Sequence, residues 1–398
     1  MKLIEFKEYS NLGGETLNKR KVTIAIILAV LVAIIMLCMI VYLCSPKFRN
    51  WADMHILMKT TKQGNLPAIE INSDENISIF AYDKYVALLS NNELELYNSS
   101  AKKVETIKVN ISNPLFTSNG KYLAIAEKEK QKVYLLSGTK VVWNKDVDGT
   151  ISRASVNENG YVSIVCTGTT YKSVIIVFDQ NGNELFKTYI PNNKVVDSEI
   201  SSDNKYLSFA EVDTSGTLIK SVVKTISIKD AQNSSDNSIV NTYEMPTNSL
   251  IINLKYQGSK NLICMCDDGI CQLTDGQIKQ LMNFKENEKN YTFAGIDLIN
   301  NIYQVEEISD GLSNQSSNIK LMNTGTKKEK KYSIPSIAKS TLSAGDIIAV
   351  NLGTEIYFVN SKGLLKKKYI ATEEIRNILV SDRIVAIIFR DQIEILVL

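Results

Sequence analysis

Histidine is nearly absent from this chain, His55 being the only one in 398 residues. A Ser-His-Asp triad or a zinc HExxH site therefore has no histidine to draw on in the long C-terminal part. No GxxxxGK[ST] phosphate loop occurs either. Net charge is small, with Lys+Arg 45 against Asp+Glu 43, so no global field draws the chain onto nucleic acid. Proline (6) and tryptophan (2) are scarce while tyrosine (18) is plentiful, a balance that suits strands and polar turns better than helical repeats. Six cysteines are too few for a disulfide scaffold in a chain this long, and two of them, Cys38 and Cys44, lie in an apolar run.

That run, Val22 to Cys44, carries no charge and is almost wholly aliphatic. At 1.5 Å per residue it extends about 35 Å, enough to cross a hydrocarbon core of roughly 30 Å. A cleaved signal peptide has a shorter apolar region ending in a small-residue cleavage site, and neither condition is met. Lys19, Arg20 and Lys21 abut the run, whereas Lys47 and Arg49 form a smaller cluster beyond it, which predicts a cytoplasmic N-terminus. The expected organisation is a short cytoplasmic tail (1–21), a transmembrane helix (22–44), a juxtamembrane stalk (45–65) with Phe48 and Trp51 at headgroup level, and an extracytoplasmic domain (66–398). Ala25, Ala29 and Ala33 recur every four residues on one helix face, a small-xxx-small pattern that leaves a homodimer through the helix open.

From about Leu66 onward, apolar residues alternate or run in blocks of four to eight between Asn, Asp, Gly and Ser clusters, which predicts an all-β domain. A polar turn followed by a short apolar strand recurs at Tyr82-Asp-Lys-Tyr, Ser118-Asn-Gly-Lys-Tyr, Glu158-Asn-Gly-Tyr and Asp203-Asn-Lys-Tyr. It continues more weakly at Gly258-Ser-Lys, Asn300-Asn-Ile-Tyr, Gly345-Asp-Ile and Asp382-Arg-Ile. The spacing of about 43 residues is that of a four-stranded propeller blade. A lone blade cannot bury both faces, so the blades must stack around an axis. The last unit has room for only three strands, and Ala68 to Ile71 can supply the fourth. This predicts a β-propeller of eight four-stranded blades, with seven as the rival count.

Ser118-Asn-Gly-Lys-Tyr-Leu-Ala and Ser202-Asp-Asn-Lys-Tyr-Leu-Ser resemble the turn-and-strand element of WD40-like and TolB-like propeller repeats. The stretch Asn157 to Val165, with Tyr171 to Asp179 and Asn181 to Phe186, is similar to a family of bacterial single-pass membrane-anchored propellers of unknown function. The resemblance implies a propeller outside the cell and implies no activity.

Candidate chemistry is sparse. If Asp268-Gly269 is a two-residue hairpin turn, Cys266 faces Cys271 across the strands, which leaves a disulfide, free buried thiols or a thiolate metal site open. Asn144-Lys-Asp-Val-Asp-Gly149 opens like a calcium loop but has Ser155 where a carboxylate is needed, and so reads as a polar inter-blade turn. Lysines 327, 328, 330, 331 and 366–368 are expected on outermost strands, where lysine discourages edge pairing. The expectation is a binding or scaffolding module for a protein, peptide or envelope glycan, without enzymatic activity or a cofactor and without a nucleic-acid partner. A carboxylate-dependent extracellular hydrolase and a receptor ectodomain are the contrary readings.

Overall fold

The computed structural model describes residues 19–45, 48, 49, 52, 53, 56–72, 76–168, 170–233, 238–285, 291–309 and 315–398. Tail residues 1–18, Pro46, Lys47, Trp51 and His55 fall outside the described residues. The chain divides into two units, Met1–Met58 and Lys59–Leu398.

The first unit contains a helix, Lys19–Cys44, whose segment Thr23–Cys44 is long and apolar enough to cross a membrane. Its aliphatic side chains are solvent-facing along their whole length, as in a helix that meets lipid rather than a protein core.

The second unit is an eight-bladed β-propeller. Blades 1 to 7 span residues 78–108, 114–146, 150–190, 194–244, 251–283, 291–334 and 340–370. Blade 8 comprises three strands from 377–397 and the strand Ala68–Glu70. All eight recurring turns are the connection between first and second strands of a blade. Their composition has a backbone cause: Asp83, Gly120, Gly160, Asn204, Gly258, Asn300 and Gly345 all have positive φ, which only Gly, Asn and Asp adopt readily. At Gly160 the space is closed as well, because a Cβ there would lie 2.7 Å from the Tyr122 ring of blade 2.

Middle strands pack on both faces and read as apolar runs, as in Tyr122–Ala126 and Ile347–Val350, whose residues are all buried. The core lies between blades. Ala87, Leu94 and Leu96 of blade 1 pack with Leu123, Ile125 and Leu136 of blade 2, and Val86 and Leu88 meet Ala386, Ile393 and Ile395 of blade 8.

Ring closure matches the sequence expectation. Ala68, Ile69 and Glu70 pair antiparallel with Glu394, Ile393 and Gln392. A second N-terminal strand, Thr60–Lys62, is an addition that sequence reasoning did not foresee; it pairs in parallel with Lys368–Ile370 and makes blade 7 five-stranded. The expectation that the strand bearing Lys366–Lys368 is outermost is therefore corrected from Lys368 onward, while Lys366 and Lys367 precede the covered stretch; the strand Glu329–Ile334 of blade 6 does form an edge. Glu394, fully buried, ties the two N-terminal strands together: its carboxylate accepts hydrogen bonds from Gly64 N (2.7 Å) and the Tyr369 hydroxyl (2.7 Å).

Replacing Glu394 by Ala leaves both donors without their acceptor. The expected cost is roughly 2–4 kcal/mol of propeller stability, read as a lower denaturant midpoint, and an unchanged midpoint refutes this latch.

Candidate functional site

The inner strands are not equivalent around the ring. Those of blades 3 to 6 each carry a β-bulge near their start, between Ile151 and Arg153, Val195 and Asp197, Ile251 and Asn253, and Tyr291 and Phe293. The inner strands of blades 1, 2, 7 and 8 pair without interruption. A bulge inserts a residue and re-aims the side chains that follow, and in blades 3, 4 and 5 those side chains are polar.

The first position after the bulge reaches the next blade. Arg153 Nε donates to Val196 O (3.0 Å) and lies 3.7 Å from Asp197 Oδ1, and Asp197 Oδ2 accepts from Leu254 N (2.8 Å). Burial pushes the Asp197 carboxyl above the usual carboxylate range, opposed by the bond from Leu254 and by Arg153. Farther along, Asn157 donates to Ser201 O (3.0 Å), and Gln257 Nε2 donates to Leu298 O and Asn301 O (3.0 Å each). These bonds satisfy backbone groups at blade junctions that would otherwise be buried unpaired.

Two positions farther from the bulge stand Ser155, Glu199 and Lys255, on blades 3, 4 and 5. Glu199 and Lys255 keep some contact with solvent, yet protein surrounds them. Burial pushes the Glu199 carboxyl up to about 7; Lys255 opposes this, and Asp197 and Asp297 add to it. The Lys255 ammonium is held above its usual range, by Glu199 foremost and then by Asp297, Asp197 and Asp382 against the effect of burial. One ammonium thus feels carboxylates from blades 4, 6 and 8, which places it at the ring axis. At the same end, Asp382 is raised by burial, with Lys255 opposing and Asp83 adding. Arg383 pairs with Asp83 (3.2 Å) and Ser381 Oγ donates to Asp83 O (2.7 Å), which joins blades 8 and 1. The cluster is polar, carries more carboxylates than ammonium groups, and contains one carboxyl that changes charge near neutral pH. It is suited to holding a basic or amide group presented along the axis.

Glu199, Lys255, Asp197 and Asp297 were not named from sequence; Ser155 entered only as the position where a calcium loop needs a carboxylate, and Asp83, Asp382 and Arg383 only as parts of the recurring turns. Superposing the repeats on their turns does not reveal them, because Ser155 and Lys255 stand three residues before Glu158 and Gly258 whereas Glu199 stands four before Asp203.

The cysteine expectation is corrected in its register. The hairpin turn is Asp267-Asp268, so Cys266 pairs with Gly269 and Cys264 stands opposite Cys271. The Cys264 and Cys266 sulfurs lie 3.8 Å apart on one strand face, and all three thiols are free. Burial pushes the Cys271 thiol up to about 12, which disfavours the thiolate. Ala25, Ala29 and Ala33 lie exposed in the N-terminal helix. Lys19, Arg20 and Lys21 form its first turn, with side chains outside what is described. In the calcium-like stretch, Asp146 pairs with Lys132 (2.8 Å) and Asp148 with Lys187 (3.2 Å).

Comparison with known proteins agrees with the fold. Residues 59–398 match a family described as a family of unknown function, DUF5711. Among solved structures, BamB from Moraxella catarrhalis is similar with TM-score 0.47 and 10% identity, over 83% of this chain and 98% of that one. A eukaryotic initiation factor gives TM-score 0.50 and 12% identity over 81% and 83% of the two chains. A prolyl endopeptidase structure gives 0.50 and 11% over 73% and 48%. At such identities the likeness is one of fold alone. No curated protein sequence matches.

The Glu199 carboxyl makes a pH prediction. Its folded pKa of about 7 lies above its usual 4.5, so its contribution to stability is complete below the lower value and is lost as pH rises through the higher one. Glu199→Gln is expected to match the parent near pH 4 and to exceed it by roughly 1–2 kcal/mol near pH 8, in denaturation followed across pH. Lys255→Met removes the charge that opposes the shift and moves the Glu199 titration higher still. Identical pH profiles for all three proteins refute this electrostatic picture.

Proposed function

The chain belongs to that family of unknown function, DUF5711, and from this premise we propose that it is a membrane-tethered extracytoplasmic binding or scaffolding module rather than an enzyme. The observation that carries the reading is the bulged half of the ring, where Lys255 is gathered among Glu199, Asp297, Asp197 and Asp382. The eight first-to-second-strand turns surround the end of the axis at which Asp382, Arg383 and Asp83 lie. A rigid ring with polar turns and a net-acidic axis recognises a protein or peptide segment that presents basic or amide groups; an amide-bearing envelope glycan offers part of the same chemistry.

The tether is the helix Thr23–Cys44. The basic residues Lys19, Arg20 and Lys21 before it favour a cytoplasmic N-terminus, which sets the propeller on the other side. The hydrolase reading draws on Glu199, a carboxyl protonated near neutrality beside Asp197. It is the weaker reading, because Asp197 is buried and engaged by Leu254 N and Arg153 rather than turned to a substrate.

A photo-crosslinking residue placed in the full chain at Lys84 or Lys260, exposed turn positions of blades 1 and 5, is expected to give a discrete adduct in its native membrane. The same residue at Asn192, in the connection between blades 3 and 4, is expected to give none. Adducts from Asn192 alone, or none from any position in a folded protein, overturn the assignment of the turn face.

A further inference from the structure

The lysines of blades 6 and 7 have only half an explanation in edge protection. Lys330 and Lys331 lie on the open outer strand of blade 6, where they discourage pairing with a foreign strand. Lys366 and Lys367 precede the stretch Lys368–Ile370 that Thr60–Lys62 covers, and at Leu365 O the short edge left there is already taken by the Lys59 ammonium.

These lysines form a neighbourhood rather than two separate runs. A Cβ on Gly363, in the last turn of blade 7, would stand 3.2 Å from Lys330 Cβ of blade 6. Lys362 precedes that glycine and Lys366 follows it by three residues. Lys328, Lys330, Lys331, Lys362 and Lys366 are all exposed. The acids of these strands are engaged elsewhere, Glu329 with Lys320 (2.7 Å) and Glu355 with Lys368 (2.9 Å). The surface is therefore basic in a chain whose total charge is only +2.

Its place in the chain gives it a direction. The propeller begins at Lys59, whose ammonium donates to Leu365 O (2.7 Å), beside Lys366. The segment arriving from the apolar helix thus joins the propeller at the basic neighbourhood. Only fifteen residue steps of chain separate Cys44 from Lys59.

We infer that the lysine cluster of blades 6 and 7, Lys328, Lys330, Lys331, Lys362 and Lys366, is a docking surface for the anionic lipid headgroups of the bilayer in which the chain is anchored. Each lysine held near such a surface contributes attraction of about fivefold in binding, and the attraction is screened by salt. This surface is separate from the axial cluster, and either assignment can fail without the other.

The test uses the full chain in lipid discs, of phosphatidylcholine alone or with phosphatidylglycerol, with each lysine followed by amine acylation and mass spectrometry. The five lysines are expected to react several-fold more slowly in the anionic discs, and high salt to restore the rate. Lys172 and Lys194, exposed on other blades, report folding and should react alike in both. In the variant Lys330→Gln, Lys331→Gln, Lys362→Gln, Lys366→Gln, the remaining Lys328 should lose its dependence on lipid while the reference lysines stay unchanged. Equal rates in the two discs overturn the proposal. So does protection by added soluble polyphosphate without any response to anionic lipid, which reassigns the patch to a soluble polyanion.

Discussion

Everything in the propeller depends on closing a ring from units that cannot stand alone. A four-stranded blade has two apolar faces, and each is buried only by a neighbour. An open row would leave the outward faces of blades 1 and 8 in water. The chain meets this constraint by returning its N-terminal segment to the end of the ring, with Ala68–Glu70 as the fourth strand of blade 8 and Thr60–Lys62 as a fifth on blade 7. Buried Glu394 binds the connection between them through Gly64 N and sits against Tyr369 of blade 7. The strands that close the ring are also those nearest in sequence to the apolar helix.

The closed ring then sets what the axis can hold. Innermost strands meet at close quarters, and a side chain placed there must find a partner from another blade. Blades 3 to 6 solve this with a repeated bulge, and half the ring becomes a polar arc in which Arg153, Asp197 and Gln257 bond to the neighbouring backbone. Glu199 and Lys255 differ from those residues. Among the described residues neither has such a backbone partner; Glu199 bonds the Ser155 side chain, and the two charges act on one another and feel Asp297, with Asp382 acting on Lys255. An arrangement of this kind is costly in an inert scaffold, since burial raises the energy of each charge. That cost is the reason for reading the axis as a binding feature.

How much of this was legible in the sequence follows from which interactions are local. The turns were legible because a positive φ must be met by Asp, Asn or Gly at one position, wherever the rest of the blade lies. The blade count followed from their spacing, and the closing strand from a shortage of strands at the C-terminus. Thr60–Lys62 was missed because three residues with no strong alternation carry no strand signal until Lys368–Ile370 is beside them. The hairpin at Asp267-Asp268-Gly269 was misread by one residue, since Asp-Asp and Asp-Gly are both competent turns, and that slip moved the partner of Cys271 from Cys266 to Cys264. The axial cluster was beyond reach for a different reason: Lys255 and Asp382 lie far apart in the chain and meet only when the ring is closed.

The measurement closest to the centre of this account is hydrogen exchange on the intact chain, read at the amides of Ile69 and Ile71 and of Ile393 and Ile395, which bond across the two strands. A ring closed by its N-terminal strand predicts that both segments exchange slowly and together, at the rate of the blade cores, because their hydrogen bonds open only with the ring. Rapid exchange at these amides beside protected amides at Glu394 and Leu396, which bond to Ile384–Ile388, would contradict it, and would mean that the propeller holds its last blade with three strands.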